Sequence, residues 1–138
     1  MWNLEYAAEL AWLDVMIPIF VITLESFTNT SSSRVTRQFT YRVPRIVTEA
    51  GGPELTEQVC RTFYKARSRW AHGDHIQLKS SAQTDETEVE APPQTIAEEF
   101  GQVQAATRAI VRRAIEDPDF RARVESKASV RSNWPIPD

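Results

Sequence analysis

Phe63-Tyr64-Lys65-Ala66-Arg67-Ser68-Arg69-Trp70-Ala71-His72-Gly73-Asp74 reads as the last turns of an amphipathic helix that stops at a glycine. Upstream, Leu55, Val59, Phe63, Ala66 and Trp70 recur at three- and four-residue spacing. That period predicts a helix over 53–71 with one apolar face. Gly51-Gly52-Pro53 supplies a glycine stop for a preceding helix and a proline start for this one.

Working outward, the same period recurs. Leu10, Leu13, Ile17, Val21 and Leu24 predict a first helix from Asn3, a good N-cap, to about Phe27. Pro18 is expected to kink or split it. Glu25 is an unusual carboxylate directly after this apolar run. A polar connection over 28–33 leads to a second helix over 33–49, its apolar side made by Val35, Phe39, Val43, Ile46 and Val47. Pro44 is expected to break or kink it. Residues 74–93 are acidic and aperiodic and are expected to form a mobile surface loop. A fourth helix follows over 95–115, with Ile96, Phe100, Val103, Ala106, Ile110 and Val111 on one side. Asp117-Pro118 ends it, a short helix is expected over 118–128, and 129–138, with two prolines, reads as an extended tail. The fold class is therefore all-α: one four- to five-helix bundle with kinked helices over 1–128, followed by the tail.

Bulk properties agree. The chain has 138 residues, 41% hydrophobic and 25% charged, with only four glycines, which suits one helical domain with a real core. Its one cysteine, Cys60, excludes an intramolecular disulfide and a multi-thiolate zinc site. Cys60 falls in an apolar helical pattern and reads as a buried thiol. No basic segment precedes an apolar run near the start, and Val15 to Leu24 is too short to span a bilayer. A cytoplasmic protein without a membrane partner is the expectation. Trp2, Trp12, Trp70 and Trp134 read as core or interface residues rather than base-stacking platforms. Trp134 is expected to dock on the bundle or on a neighbouring protomer.

The net charge of −3 argues against a general nucleic-acid coat. Residues 61–69, however, carry Arg61, Lys65, Arg67 and Arg69 and no acid. A local basic surface on an acidic protein suits a confined anionic ligand, and a solvated helix face explains the same charges equally well. Arg67 and His72 stand out within it. Cleavage of RNA by its own 2′-hydroxyl needs a proton taken from that hydroxyl and one given to the leaving 5′-oxygen, and an imidazole serves either step. Charge growing on the phosphoryl oxygens suits a planar guanidinium. No metal and no cofactor is required. On a straight helix the two side chains point about 140° apart, so His72 must turn where the helix ends, or two protomers must share the site. His75 and Asp74 beside His72 are too few ligands to define a metal site.

Tyr64-Lys65-Ala66-Arg67-Ser68-Arg69-Trp70-Ala71-His72-Gly73 resembles the signature of HEPN domains, most closely the ApeA-like branch, whose helix ends in Tyr-x-x-Arg-Ser-Lys-x-x-His-Gly. Arg69 replaces the lysine, and Trp70 and Ala71 stand where aliphatic residues are usual. Ile22-Thr23-Leu24-Glu25-Ser26-Phe27 is similar to the family's upstream helix end, and Ala109 to Ile115 to its closing helix. The resemblance implies a helical bundle, often homodimeric, with the activity of a metal-independent endoribonuclease acting in toxin–antitoxin pairs, antiphage defence or RNA processing. It implies Arg67 and His72 as catalytic residues facing a shared cleft. Ser68 and Glu25 would orient Arg67, His72 or the phosphate, with Tyr64 in support, and Arg61, Lys65 and Arg69 would bind RNA. An antitoxin or a larger effector protein is the implied partner. The family also contains non-catalytic modules that bind RNA, nucleotides or partner proteins, or that dimerise.

Overall fold

The structure, a computed structural model, describes the backbone of residues 3–71 and 93–138. Six helices lie in these segments: α1 (Asn3–Thr28), α2 (Val35–Glu49), α3 (Glu57–Ala71), α4 (Pro93–Glu116), α5 (Pro118–Val124) and α6 (Lys127–Asn133). The all-α expectation holds. The predicted loop lies, apart from Pro93, outside the described residues, as do Trp2, His72, Gly73, Asp74 and His75.

α1 touches α2, α3, α4 and α6, and α3 packs against both α1 and α2. The core is built from the predicted stripes, except that Val111 of the expected α4 stripe is exposed. Ile17, Val21 and Leu24 of α1, Phe39, Val43 and Ile46 of α2, Phe63 of α3 and Phe100 of α4 are each at most 1% exposed. Phe100 is the aromatic centre. Its ring meets Trp12, Phe20 and Phe63 at centroid distances of 5.6, 5.5 and 6.1 Å, contacts that add about 0.5–1.5 kcal/mol each beyond their buried area. Cys60 is buried, and burial pushes its thiol up to about 12. Both prolines sit inside helices that continue past them, so α1 is not split at Pro18 nor α2 at Pro44.

Three boundaries differ from expectation, each for a local reason. α2 starts at Val35 because Arg34 adopts a left-handed conformation (φ 52°) and the amide of Gln38 folds back onto the carbonyls of Ser31 and Ser33. α3 starts at Glu57 rather than at Pro53. Thr56 is its cap, its hydroxyl accepting the Val59 N–H at 3.1 Å. The stretch expected as one helix and an extended tail is two helices. Asp117 caps α5 through the N–H groups of Asp119 and Phe120, and Ser126 caps α6 through Ser129. The tail expected from residue 129 is thus helical as far as Asn133, and Trp134 is buried against the bundle. Its indole donates to Glu49 at 2.9 Å, and Glu49 also pairs with Arg123, whose guanidinium lies over the Trp134 ring.

Arg42 joins this C-terminal unit to α1. It is 2% exposed and donates to the Thr28 carbonyl at 2.8 Å, the Trp134 carbonyl at 2.9 Å, Gln38 Oε1 at 3.0 Å and Thr30 Oγ1 at 3.1 Å. Thr28 ends α1 and Trp134 caps α6, so the cation sits between two helix C-termini, whose negative dipole ends favour it. Burial, and then the charge of Arg131, hold the guanidinium below its usual pKa. Replacing Arg42 with Met strands buried acceptors and is expected to lower stability by about 2–4 kcal/mol, measured by urea unfolding.

The α2 stop follows the glycine prediction. Gly51 takes φ 75°, its N–H bonds the Thr48 carbonyl and that of Gly52 the Val47 carbonyl, a Schellman closure. Gly52 is needed for a different reason: a Cβ there would lie 2.7 Å from Val47 Cγ1 and 3.0 Å from Ala109 Cβ. Both neighbours belong to the α2–α4 contact and Val47 is fully buried. Gly52→Ala is expected to cost about 1–3 kcal/mol, read as a lower urea midpoint.

Candidate functional site

Glu25 lies in the last turn of α1. A carboxylate there opposes the helix dipole, so its place needs partners, and α3 provides them. Tyr64 is a fixed side chain: the residue is 6% exposed and its ring packs on Phe39 at 5.0 Å. Its hydroxyl donates to Glu25 Oε1 at 3.0 Å. The Asn29 amide donates to the same oxygen at 3.2 Å. The other oxygen, Oε2, is paired with Arg67 Nη2 at 3.1 Å. Two neutral donors thus hold one oxygen and a cation the second, which fixes the rotation of the carboxylate.

Tyr64 and Arg67 both reach α1 because they are three residues apart on α3. The Arg67 side chain is 30% exposed and that of Glu25 15%, so the pair is half-shielded from water. Arg67 Nε is buried and makes no hydrogen bond. Glu25 meets Arg67 at Nη2, and Nε takes no part in the pair.

Three of the residues expected from the sequence, Glu25, Tyr64 and Arg67, therefore meet. Ser68 follows Arg67 in the helix and is half-buried. Arg61 and Lys65 are exposed one turn apart on α3, and Arg67 is about 200° round the helix from Lys65, so those two do not join the Glu25 cluster. Arg69 lies within α3, but its side chain and all of His72 are outside what the structure describes. Asn29 was not singled out by sequence reading. The available signal was its position four residues after Glu25, the spacing at which helical side chains meet.

Other surface features lie elsewhere. One cleft of about 420 Å³ is formed along α4 by Thr107, Arg108, Val111, Arg112, Ile115 and Glu116, and neither it nor one of about 470 Å³ between α2 and the start of α3 includes Glu25, Tyr64 or Arg67. Among the described residues no helix is long and apolar enough to cross a membrane, and no group of three His, Cys, Asp or Glu residues could hold a metal ion. No known family, curated protein or solved structure matches the chain.

Tyr64 reports on the cluster. Burial, followed by its hydrogen bond to Glu25, pushes its phenol up to about 12 from a usual 10.0. The folded state therefore favours the neutral phenol. That contribution to stability is complete below the usual value and is lost as pH rises through about 12. Subtracting the phenolate absorbance titration of Tyr64→Phe from that of wild type is expected to leave a step near 12, and Glu25→Gln is expected to move that step down. A difference step at the usual phenol value would contradict the arrangement.

Proposed function

We propose that the chain is a metal-independent endoribonuclease of HEPN type. RNA is its substrate, and it works as a homodimer, in concert with an antitoxin or a larger effector protein. The reading is supported above all by the Glu25–Arg67 pair. The arginine of the signature is held from a neighbouring helix by a carboxylate that is itself fixed by Tyr64 and Asn29. That arrangement orients a guanidinium before substrate arrives, as electrostatic stabilisation of a transition state requires.

In this mechanism Arg67 hydrogen-bonds the scissile phosphate and takes up the charge that grows on its non-bridging oxygens. The 2′-oxygen attacks phosphorus as its proton is removed, the bond to the 5′-oxygen breaks, and that oxygen is protonated. The products are a 2′,3′-cyclic phosphate and a 5′-hydroxyl. His72 serves as general acid or base in these transfers. Glu25 and Tyr64 position Arg67, Ser68 orients a neighbouring group or the phosphate, and Arg61, Lys65 and Arg69 bind the RNA backbone on the flanking surface. Cellular roles of this chemistry are those of a toxin, an antiphage effector or an RNA-processing enzyme.

One observation favours a second reading. The Glu25 carboxylate neutralises Arg67 at 3.1 Å, an arrangement equally suited to a module that binds RNA, a nucleotide or a protein without cleaving anything.

The test is cleavage of a labelled RNA panel in EDTA. Wild type is expected to cut and leave cyclic phosphate ends, and Arg67→Ala and His72→Ala are each expected to lose on the order of 10²–10⁴ in rate with circular dichroism unchanged. Activity that disappears with EDTA, or that survives both substitutions, contradicts the enzyme. A folded wild type that binds RNA without cutting it supports the second reading.

A further inference from the structure

Asn29 stands where two networks meet. Its own groups face the candidate site: its N–H donates to the Glu25 carbonyl at 2.9 Å and its side-chain amide to Glu25 Oε1 at 3.2 Å. Its two neighbours are gripped from elsewhere. The Thr28 carbonyl accepts from Arg42 Nη1 at 2.8 Å, and the Thr30 hydroxyl accepts from the same nitrogen at 3.1 Å. Thr30 is held twice more, its N–H donating to Gln38 Oε1 at 2.7 Å and its carbonyl accepting from Arg131 Nη2 at 3.4 Å. Thr28, Thr30, Gln38 and Arg42 are all buried. Two of these links run to the C-terminal end of the chain. Arg131 belongs to α6, and the carbonyl of Trp134, the residue that caps α6, takes the Arg42 Nε–H at 2.9 Å.

We infer that α6 is a positioning element of the candidate site. Through Arg42 and residues 28–30 it fixes Asn29, and through Asn29 it fixes the carboxylate that holds Arg67. The physical reason is the cost of a buried guanidinium that lacks an acceptor. Nε and Nη1 belong to one rigid plane. A turn of Arg42 that follows a displaced Trp134 carbonyl therefore also carries Nη1 off Thr28 and Thr30. Asn29 is the first residue past α1. The helix secures its N–H, and the grip on its two neighbours sets the direction of its side chain. Without that grip Glu25 Oε1 keeps one neutral donor, Tyr64, in place of two. The rotation of the carboxylate against Arg67 is then less tightly set.

The bearing of this linkage on phosphate rests on the reading of Arg67 given above, whereas the linkage itself does not. α6 touches neither Glu25 nor Arg67 in the contacts described, so it acts only through Arg42, Arg131 and Asn29. A purely structural α6 would lower the stability of the whole bundle without singling out these groups.

The test is nuclear magnetic resonance of the ¹⁵N-labelled chain. The Asn29 side-chain amide pair is assigned by its loss in Asn29→Ser, and the Arg67 Nε–H by its loss in Arg67→Lys. Trp134→Ala is expected to return the Asn29 pair to the position of a free carboxamide and to shift the Arg67 Nε–H, with helical circular dichroism retained. Arg131→Gln, at an exposed residue, breaks only the direct link to Thr30 and is expected to move the same resonances by less. Val103→Ala is the control. It opens a cavity at a buried position of α4, a helix that supplies none of these groups, and is expected to leave both resonances in place. Should Trp134→Ala fail to fold, Arg131→Gln decides. Resonances unmoved by a folded Trp134→Ala, or by Arg131→Gln in its stead, would overturn the proposal, as would an equal shift in Val103→Ala. RNA cleavage is not the readout, so this inference and the ribonuclease reading fail independently.

Discussion

A single buried cation holds the helix ends in place. Arg42 is surrounded by neutral oxygens: two backbone carbonyls, a hydroxyl and an amide. Burying a charge is costly unless its hydrogen bonds are replaced, and the ends of α1 and α6 replace them. The cost ties distant parts of the chain together, since withdrawing either end leaves the guanidinium short of acceptors. Gln38, one turn earlier on α2, completes the arrangement. Its oxygen accepts from Thr30 and Arg42 while its amide holds Ser31 and Ser33. The polar connection after α1 is ordered by these two side chains.

That ordering reaches the candidate site. The end of α1 anchored by Arg42 is the end that carries Glu25, and Asn29, the first residue beyond it, hydrogen-bonds the Glu25 carboxylate. α3 supplies Tyr64 and Arg67 from the opposite side of the carboxylate. The cluster is therefore held by core packing of Tyr64 and by a polar network rooted in α2, not by the surface charges that surround it. An arginine held in this way has already lost much of its rotamer freedom.

α1 explains the remaining shape of the molecule. As the helix that touches four others, it needs apolar residues over a wide arc. Its outer stripe goes beyond that need, because Val15, Ile19 and Ile22 stand about half exposed while Leu13, Ile17 and Val21 are already in the core.

The helical period alone determined the all-α class, the apolar stripes, the glycine stop at Gly51 and the burial of Cys60, because each is a local matter of spacing or backbone sterics. It also located Glu25, Tyr64 and Arg67 as residues of interest. Whether they touch depended on how α1 and α3 pack, which no spacing within one helix states. Helix starts were less legible. Thr56 and Ser126 are ordinary cap residues whose choice over Pro53 and a continuing helix is a small free-energy difference, and the helical end of the chain became visible only through the docking of Trp134. Asn29 and Arg42 show the boundary most clearly. In sequence they are a loop amide and one basic residue among several. Asn29 acts on Glu25, four residues before it, whereas the role of Arg42 comes from partners up to 92 residues away, brought within hydrogen-bonding distance only when the helices close around it.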